Sequence, residues 1–123
     1  MTQAAIDEGL PSWDSVAAQI VAITKSSAEE IDAATLSNAL ALVEGCRLRC
    51  APPSGVSRGY FPTISFLWEG VEVEVFPTTL ELYISHDGTM AISEFQFVAV
   101  DVLPDALLSQ LPPRPTKKSG ELD

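Results

Sequence analysis

Between Ile64 and Val75 apolar and polar positions alternate in two matched runs. Ile64, Phe66 and Trp68 interleave with Ser65, Leu67 and Glu69; after Gly70, Val71, Val73 and Val75 interleave with Glu72 and Glu74. A period of two marks strands with one face buried. If Glu69-Gly70 is a two-residue hairpin loop, Trp68 faces Val71, Phe66 faces Val73 and Ile64 faces Val75, so each apolar residue of the inner face meets another. Glu suits positive φ less well than Asn or Asp, which leaves a bulged loop as the alternative. Phe76-Pro77-Thr78-Thr79 then reverses the chain and sets Leu80, Leu82 and Ile84 opposite Val75, Val73 and Val71. His86-Asp87-Gly88 is the next turn, with the Asp-Gly signature. A fourth strand runs from Thr89 to Ile92. Met90 and Ile92 have one parity and Phe95 and Phe97 the other, so Glu94 to Val102 is either a continuation across a bulge near Ser93 or a fifth strand.

The first 45 residues follow the helical period instead. Trp13, Val16, Ala17, Ile20, Val21 and Ile23 gather largely on one face behind Pro11 and Ser12. Ser27 and Glu30 have capping-box spacing for a short turn after the polar break. Asp32 is an N-cap for a second helix, with Ile31 and Leu36 at the hydrophobic-staple positions and Gly45 as its stop. Residues 51–62, with three prolines and two glycines, read as a loop. Pro104 suits the first position of a short last helix, Asp105 to Leu111. The pattern predicts an α+β fold: N-terminal helices on one face of an antiparallel four- or five-stranded meander, with a short C-terminal helix. Residues 1–111 form the single domain, and 112–123 are a flexible tail. There is no internal repeat.

Composition supports a packed core. The chain has 123 residues, 46% of them hydrophobic, and a formal net charge of −10. Such acidity disfavours direct contact with nucleic-acid phosphates or an anionic membrane surface. Met1 to Leu10 carry Asp7 and Glu8 and no positive n-region, and no apolar run reaches the ~18–20 residues of a membrane span, so a soluble cytoplasmic protein is expected. Cys46 and Cys50 match no zinc-ligand spacing and read as free thiols.

The charge is unevenly placed. Residues 46–61 carry Arg47, Arg49 and Arg58 and no acid, whereas 62–111 carry eight acids and not one Lys or Arg. In the hairpin register the outer face of the sheet presents Glu72, Glu74, Glu81 and Tyr83, with Glu74 opposite Glu81, and Glu69 and Asp87 stand in the turns. Like charges placed opposite are destabilising. One reading is a negative docking surface for the basic surface of another protein, made by Glu69, Glu72, Glu74, Glu81, Tyr83 and Asp87 with aromatic edges such as Phe76. The other is a solvated face that keeps the protein soluble, favoured if Arg47, Arg49 or the C-terminal lysines fold back onto it.

Catalytic chemistry finds little footing. His86 sits at a hairpin tip, where a nucleophile and an orienting group in a concave pocket are not expected. A zinc site of Cys46, Cys50 and His86 lacks a fourth ligand. The glutamates lie on an open face in this reading, without burial to tune them. No phosphate-binding, dinucleotide, nucleophile-elbow or metalloprotease motif occurs. The expectation is a non-enzyme with no catalytic residues, metal or cofactor.

Trp68, Gly70, the alternation of Val71, Val73 and Val75 with Glu72 and Glu74, and the Asp87-Gly88 turn together resemble short helix-plus-meander proteins of bacterial mobile elements and phages over residues 60–90. That resemblance implies a toxin-antitoxin or anti-defence role, anti-CRISPR proteins included, in the bacterial cytosol or the cytosol of a phage's host. The expected function is an acidic inhibitor that occludes a basic, nucleic-acid-binding surface of a partner, acting as monomer or homodimer. The alternative is an assembly subunit that oligomerises through its sheet edge or apolar helix faces.

Overall fold

The computed structural model describes residues 12–26, 31–59 and 61–114. Two helices, α1 (Trp13–Ser26) and α2 (Ala33–Cys46), precede five strands: β1 (Gly55–Arg58), β2 (Ile64–Trp68), β3 (Val71–Val75), β4 (Thr79–His86) and β5 (Thr89–Gln96). A single turn of helix, α3 (Asp105–Leu108), follows. The strands form one antiparallel sheet in the order β1-β2-β3-β4-β5, so the α+β meander is observed, with five strands.

Local chemistry accounts for the helix ends. The Ser12 hydroxyl accepts from the Ser15 N–H at 3.1 Å, and the Asp32 carboxylate accepts from the Ala34 N–H at 2.8 Å. Ile31 is buried and Leu36 half-buried, as a staple requires. The Ser27–Glu30 capping box lies outside the described residues. Gly45 does not stop α2, which runs on to Cys46 with Arg47 still helical at the cap. Its role is spatial: a Cβ there would lie 2.1 Å from Leu103 Cδ1, so the missing side chain admits Leu103 of the chain leading into α3.

The hairpin β2–β3 has the expected register, Trp68↔Val71, Phe66↔Val73 and Ile64↔Val75. Gly70 takes φ +75° while Glu69 stays at negative φ, so the unfavourable demand on Glu69 never arises. Strand β4 continues the ladder with Val71↔Ile84, Val73↔Leu82 and Val75↔Leu80. Asp87 and Gly88 both take positive φ, at 50° and 80°, as a type I′ turn demands.

Two further expectations fail. Within the proline- and glycine-rich stretch, Gly55–Arg58 pairs with β2 as an edge strand, so 51–62 is not all loop. No bulge interrupts β5, whose eight residues pair without a break from Thr89↔His86 to Gln96↔Thr79. The change of phase is resolved by exposure. Ala91, Ser93 and Phe95 share the inner face with Ile84, Leu82 and Leu80, and Met90 and Ile92 project from the outer face, 57% and 61% exposed.

The inner face, α1 and α2 enclose the core around Ile20, Leu42, Phe66, Val73 and Leu82. Burial of such side chains contributes roughly 1.5–3 kcal/mol each. Both indoles anchor this layer to one short segment: Trp13 donates to the Cys50 carbonyl and Trp68 to that of Ala51, each at 2.9 Å, with the rings edge to face. At the opposite end the buried Asn38 amide donates to the carbonyls of Phe76 and Pro77 at 2.9 and 3.0 Å, with the Phe97 carbonyl at 3.4 Å. One side chain of α2 therefore fixes the β3–β4 turn and the end of β5. Beyond Leu111 the chain remains paired, with Pro113 bridged to Cys50 and Arg114 N–H donating to the Arg49 carbonyl.

Candidate acidic interface

The outer face of the sheet, opposite the side that packs on α1 and α2, is built by the register. Cα pairing aligns Ser65, Glu74, Glu81 and Glu94 across β2 to β5 in one row, and Leu67, Glu72, Tyr83 and Ile92 in the next. Three carboxylates thus stand side by side on adjacent strands, a fourth lies one row away, and Glu69 and Asp87 are exposed in two turns at the same end of the sheet. All six residues expected at the site lie on this face or in those turns.

The description of this face as open is wrong at its centre. Glu74 is only 8% exposed, with Gly59 and Thr63 lying against its carboxylate. The Thr63 hydroxyl donates to Glu74 Oε2 at 2.5 Å, and Gly59 lies so close that a Cβ there would be 2.2 Å from the Thr63 hydroxyl and 2.6 Å from Glu74 Oε2. The Tyr83 hydroxyl donates to Glu81 and has Glu74 Oε1 3.3 Å away. Two neutral hydroxyl groups therefore support the facing glutamates. They satisfy lone pairs without supplying positive charge. Burial, and then the neighbouring Glu81 and Glu74 carboxylates, push the Tyr83 phenol well above its ordinary value.

Glu94 is not among the residues expected at the site, and the register sets it in the same row as Glu74 and Glu81. Counting back from the two-residue Asp87-Gly88 loop pairs 81 with 94, so the turn type carries the signal for it.

The arginines next to α2 are engaged elsewhere. Arg47 pairs with Asp14 at 2.9 Å and Glu44 at 3.1 Å, and Arg49 with Asp105 at 3.1 Å. Arg114 donates to the Arg47 carbonyl at 2.7 Å. These contacts put base and acid together on the helical side rather than on the sheet. Lys117 and Lys118 lie outside the described residues.

A shallow depression of about 180 Å³ lies in this face, bordered by Leu67, Glu72, Tyr83, Ser85 and Met90. A larger cleft of about 530 Å³ opens at the other end between Ile31, Phe61, Pro62, Phe76 and Pro77. Among the described residues its one acid, Asp32, caps α2, and the rest of the lining carries no other titratable group. Phe76 lines this cleft instead of edging the acidic face.

His86 and Asp87 are exposed at the β4–β5 tip, with His86 Nε2 3.3 Å from the Asp87 carboxylate. Cys46 and Cys50 are free and buried. Burial pushes the Cys46 thiol far above its usual range, reinforced by Cys50, and burial also raises Cys50. Among the described residues no cluster of three His, Cys, Asp or Glu is placed to hold a metal ion, and no helix is long and apolar enough to cross a membrane. No family model, curated protein or solved structure matches the chain.

Proposed function

We propose that this protein is a small non-enzymatic inhibitor that occludes a basic, nucleic-acid-binding surface of another protein, in the manner of an antitoxin or a phage anti-defence protein. The observation that carries the reading is the row Glu74–Glu81–Glu94, set on three paired strands in a 50-residue stretch without Lys or Arg. Charges held on a rigid sheet produce a field that steers an oppositely charged partner and fixes its orientation. Glu72, Glu81 and Glu94 supply the accessible carboxylates. Buried Glu74 adds to the field from beneath, held by Thr63.

The depression beside Glu72 and Tyr83 suits the partner chemistry. Its apolar wall of Leu67 and Met90 can cover the methylene stem of a Lys or Arg while Glu72 meets the head group. Occlusion of this kind competes with nucleic acid for the same cations without any reaction taking place.

The test begins with capture of binding proteins from a lysate of the source cells at low ionic strength and their elution with salt. Association of the eluted protein with the wild type and with Glu81→Lys/Glu94→Lys is then timed over a range of ionic strengths. Screening should slow wild-type association, and charge reversal should slow it at least about tenfold at low salt. Rates indifferent to both changes would refute the proposal.

The assembly alternative is narrowed by packing. Trp13, Val16 and Ile20 of α1 and Ala39, Leu42 and Val43 of α2 face the core, so the assembly alternative rests more on the sheet edge than on these helix faces.

A further inference from the structure

The two edges of the sheet are unequally protected. Strand β1 is four residues long, follows Pro52 and Pro53, ends on Arg58 and is packed against by α1. Those are the usual devices that blunt an edge: short length, proline, charge and a covering helix. Among the described residues, strand β5 has only one of them, the charge of Glu94. It is eight residues long, contains no Pro, Gly or Lys, has no bulge, and is exposed along almost all of its length.

The backbone polarity of that edge follows from the hydrogen bonds at its ends. Phe97 N–H donates to the Thr78 carbonyl at 3.0 Å, so the odd-numbered residues of β5 face β4. In an antiparallel ladder the bonding direction alternates, and the N–H and C=O groups of Met90, Ile92, Glu94 and Gln96 therefore point to the free side. These are also the residues whose side chains lie on the acidic face. One edge thus presents four residues' worth of main-chain donors and acceptors next to the carboxylates of Glu81 and Glu94.

We infer that β5 takes up an extended, basic segment of the partner as a sixth strand, and that this addition is how the acidic face engages its target. The inference rests on the proposed function above. Main-chain pairing supplies affinity, and alternate side chains of the incoming strand fall beside Met90, Ile92 and Glu94. Charge decides the occupant. A second copy of this chain brings no Lys or Arg within residues 62–111, so every self-pairing of β5 sets Glu94 against an uncharged or acidic neighbour. A strand with Lys or Arg at alternate positions gives it a base.

The probe is a capped eight-residue peptide of alternating Lys and Val, matched in length to β5. Amide hydrogen exchange is followed by NMR at low salt, with a peptide N-methylated at alternate backbone positions as control. The expected result is slowing of the Met90, Ile92, Glu94 and Gln96 amides by about tenfold or more on saturation, none with the methylated peptide, and little change at Ala91, Ser93 and Phe95. Ile92→Pro removes only an outward N–H and leaves the β4–β5 bonds in place, so it should fold and lose peptide binding, whereas Ile92→Thr should keep it. Peptide binding without the alternating protection, or with Ile92→Pro unaffected, overturns strand addition and leaves the acidic-face reading standing. No binding at low salt overturns both. Protection of the same amides that grows with protein concentration in the absence of peptide identifies a second copy as the occupant and overturns the inference.

Discussion

Thr63, in the connection between β1 and β2, donates its hydroxyl to Glu74 at 2.5 Å on the buried β2–β3 side of the outer face. The bond places a carboxylate beneath the surface opposite a second carboxylate, Glu81, with no base between them on the paired strands. Replacing the hydroxyl by Thr63→Val should leave Glu74 short of a donor and cost about 1–3 kcal/mol, read as a lower urea midpoint at unchanged slope. Gly59→Ala forces a methyl between the same two groups and should cost a similar amount. Because both changes break one contact, the double variant should be clearly less destabilised than the sum. Full additivity would show that the loop is held by something else.

Asn38 offers a second stability test. Its amide donates into carbonyls of the β3–β4 turn, so Asn38→Ala should cost about 1–3 kcal/mol by leaving buried carbonyls unpaired. Asn38→Asp keeps the shape but turns a carboxylate oxygen toward those carbonyls, and should be the worse of the two at neutral pH. Thermal unfolding of the pair decides the order. Equal losses would mean that packing rather than donation matters at this position.

Alkaline pH should destabilise the fold. The Tyr83 phenol is held above its ordinary value by burial and by Glu81 and Glu74, so above about pH 10 the unfolded chain releases a proton that the folded chain keeps. The unfolded state then binds fewer protons, and stability falls as pH rises. The contribution is whole below about pH 10 and is lost as pH passes through the raised value. Buried Cys46 and Cys50 act with the same sign from about pH 8.5 upward. In a Tyr60→Phe background the remaining phenolate absorbance should appear together with loss of far-UV structure. A free titration near pH 10 in the folded protein would contradict the burial of Tyr83.

The same burial should silence the thiols. At about pH 8 a thiol reagent should modify Cys46 and Cys50 only as fast as the protein opens, and at once in denaturant. Prompt reaction of the folded protein would show that the segment around Cys50 opens locally.

The hairpin core could be read from the sequence because its inner positions are large and apolar and its turns have fixed lengths. Trp68 facing Val71 and Leu82 facing Val73 follow from alternation alone. Strand β1 could not, since GVSR offers one apolar side chain and sits behind two prolines. Strand β5 misleads for a different reason: its larger aliphatic residues, Met90 and Ile92, point away from the core, and the inner face takes Ala91 and Ser93. The burial of Glu74 is equally hidden, because it depends on where Gly59 and Thr63 come to lie against its carboxylate. Periodicity describes which face a residue takes and is silent on what a distant loop lays over it.

The central claim is that the accessible carboxylates of β4 and β5 draw in a basic partner. Its most direct measurement is the association rate of the captured partner with wild type, Glu81→Lys/Glu94→Lys and Glu81→Gln/Glu94→Gln at two ionic strengths, each variant first shown to be folded. The predicted result is a rate that falls in the order wild type, Gln pair, Lys pair at low salt, the three converging as salt screens the field. Equal rates for the three proteins at low ionic strength would contradict it.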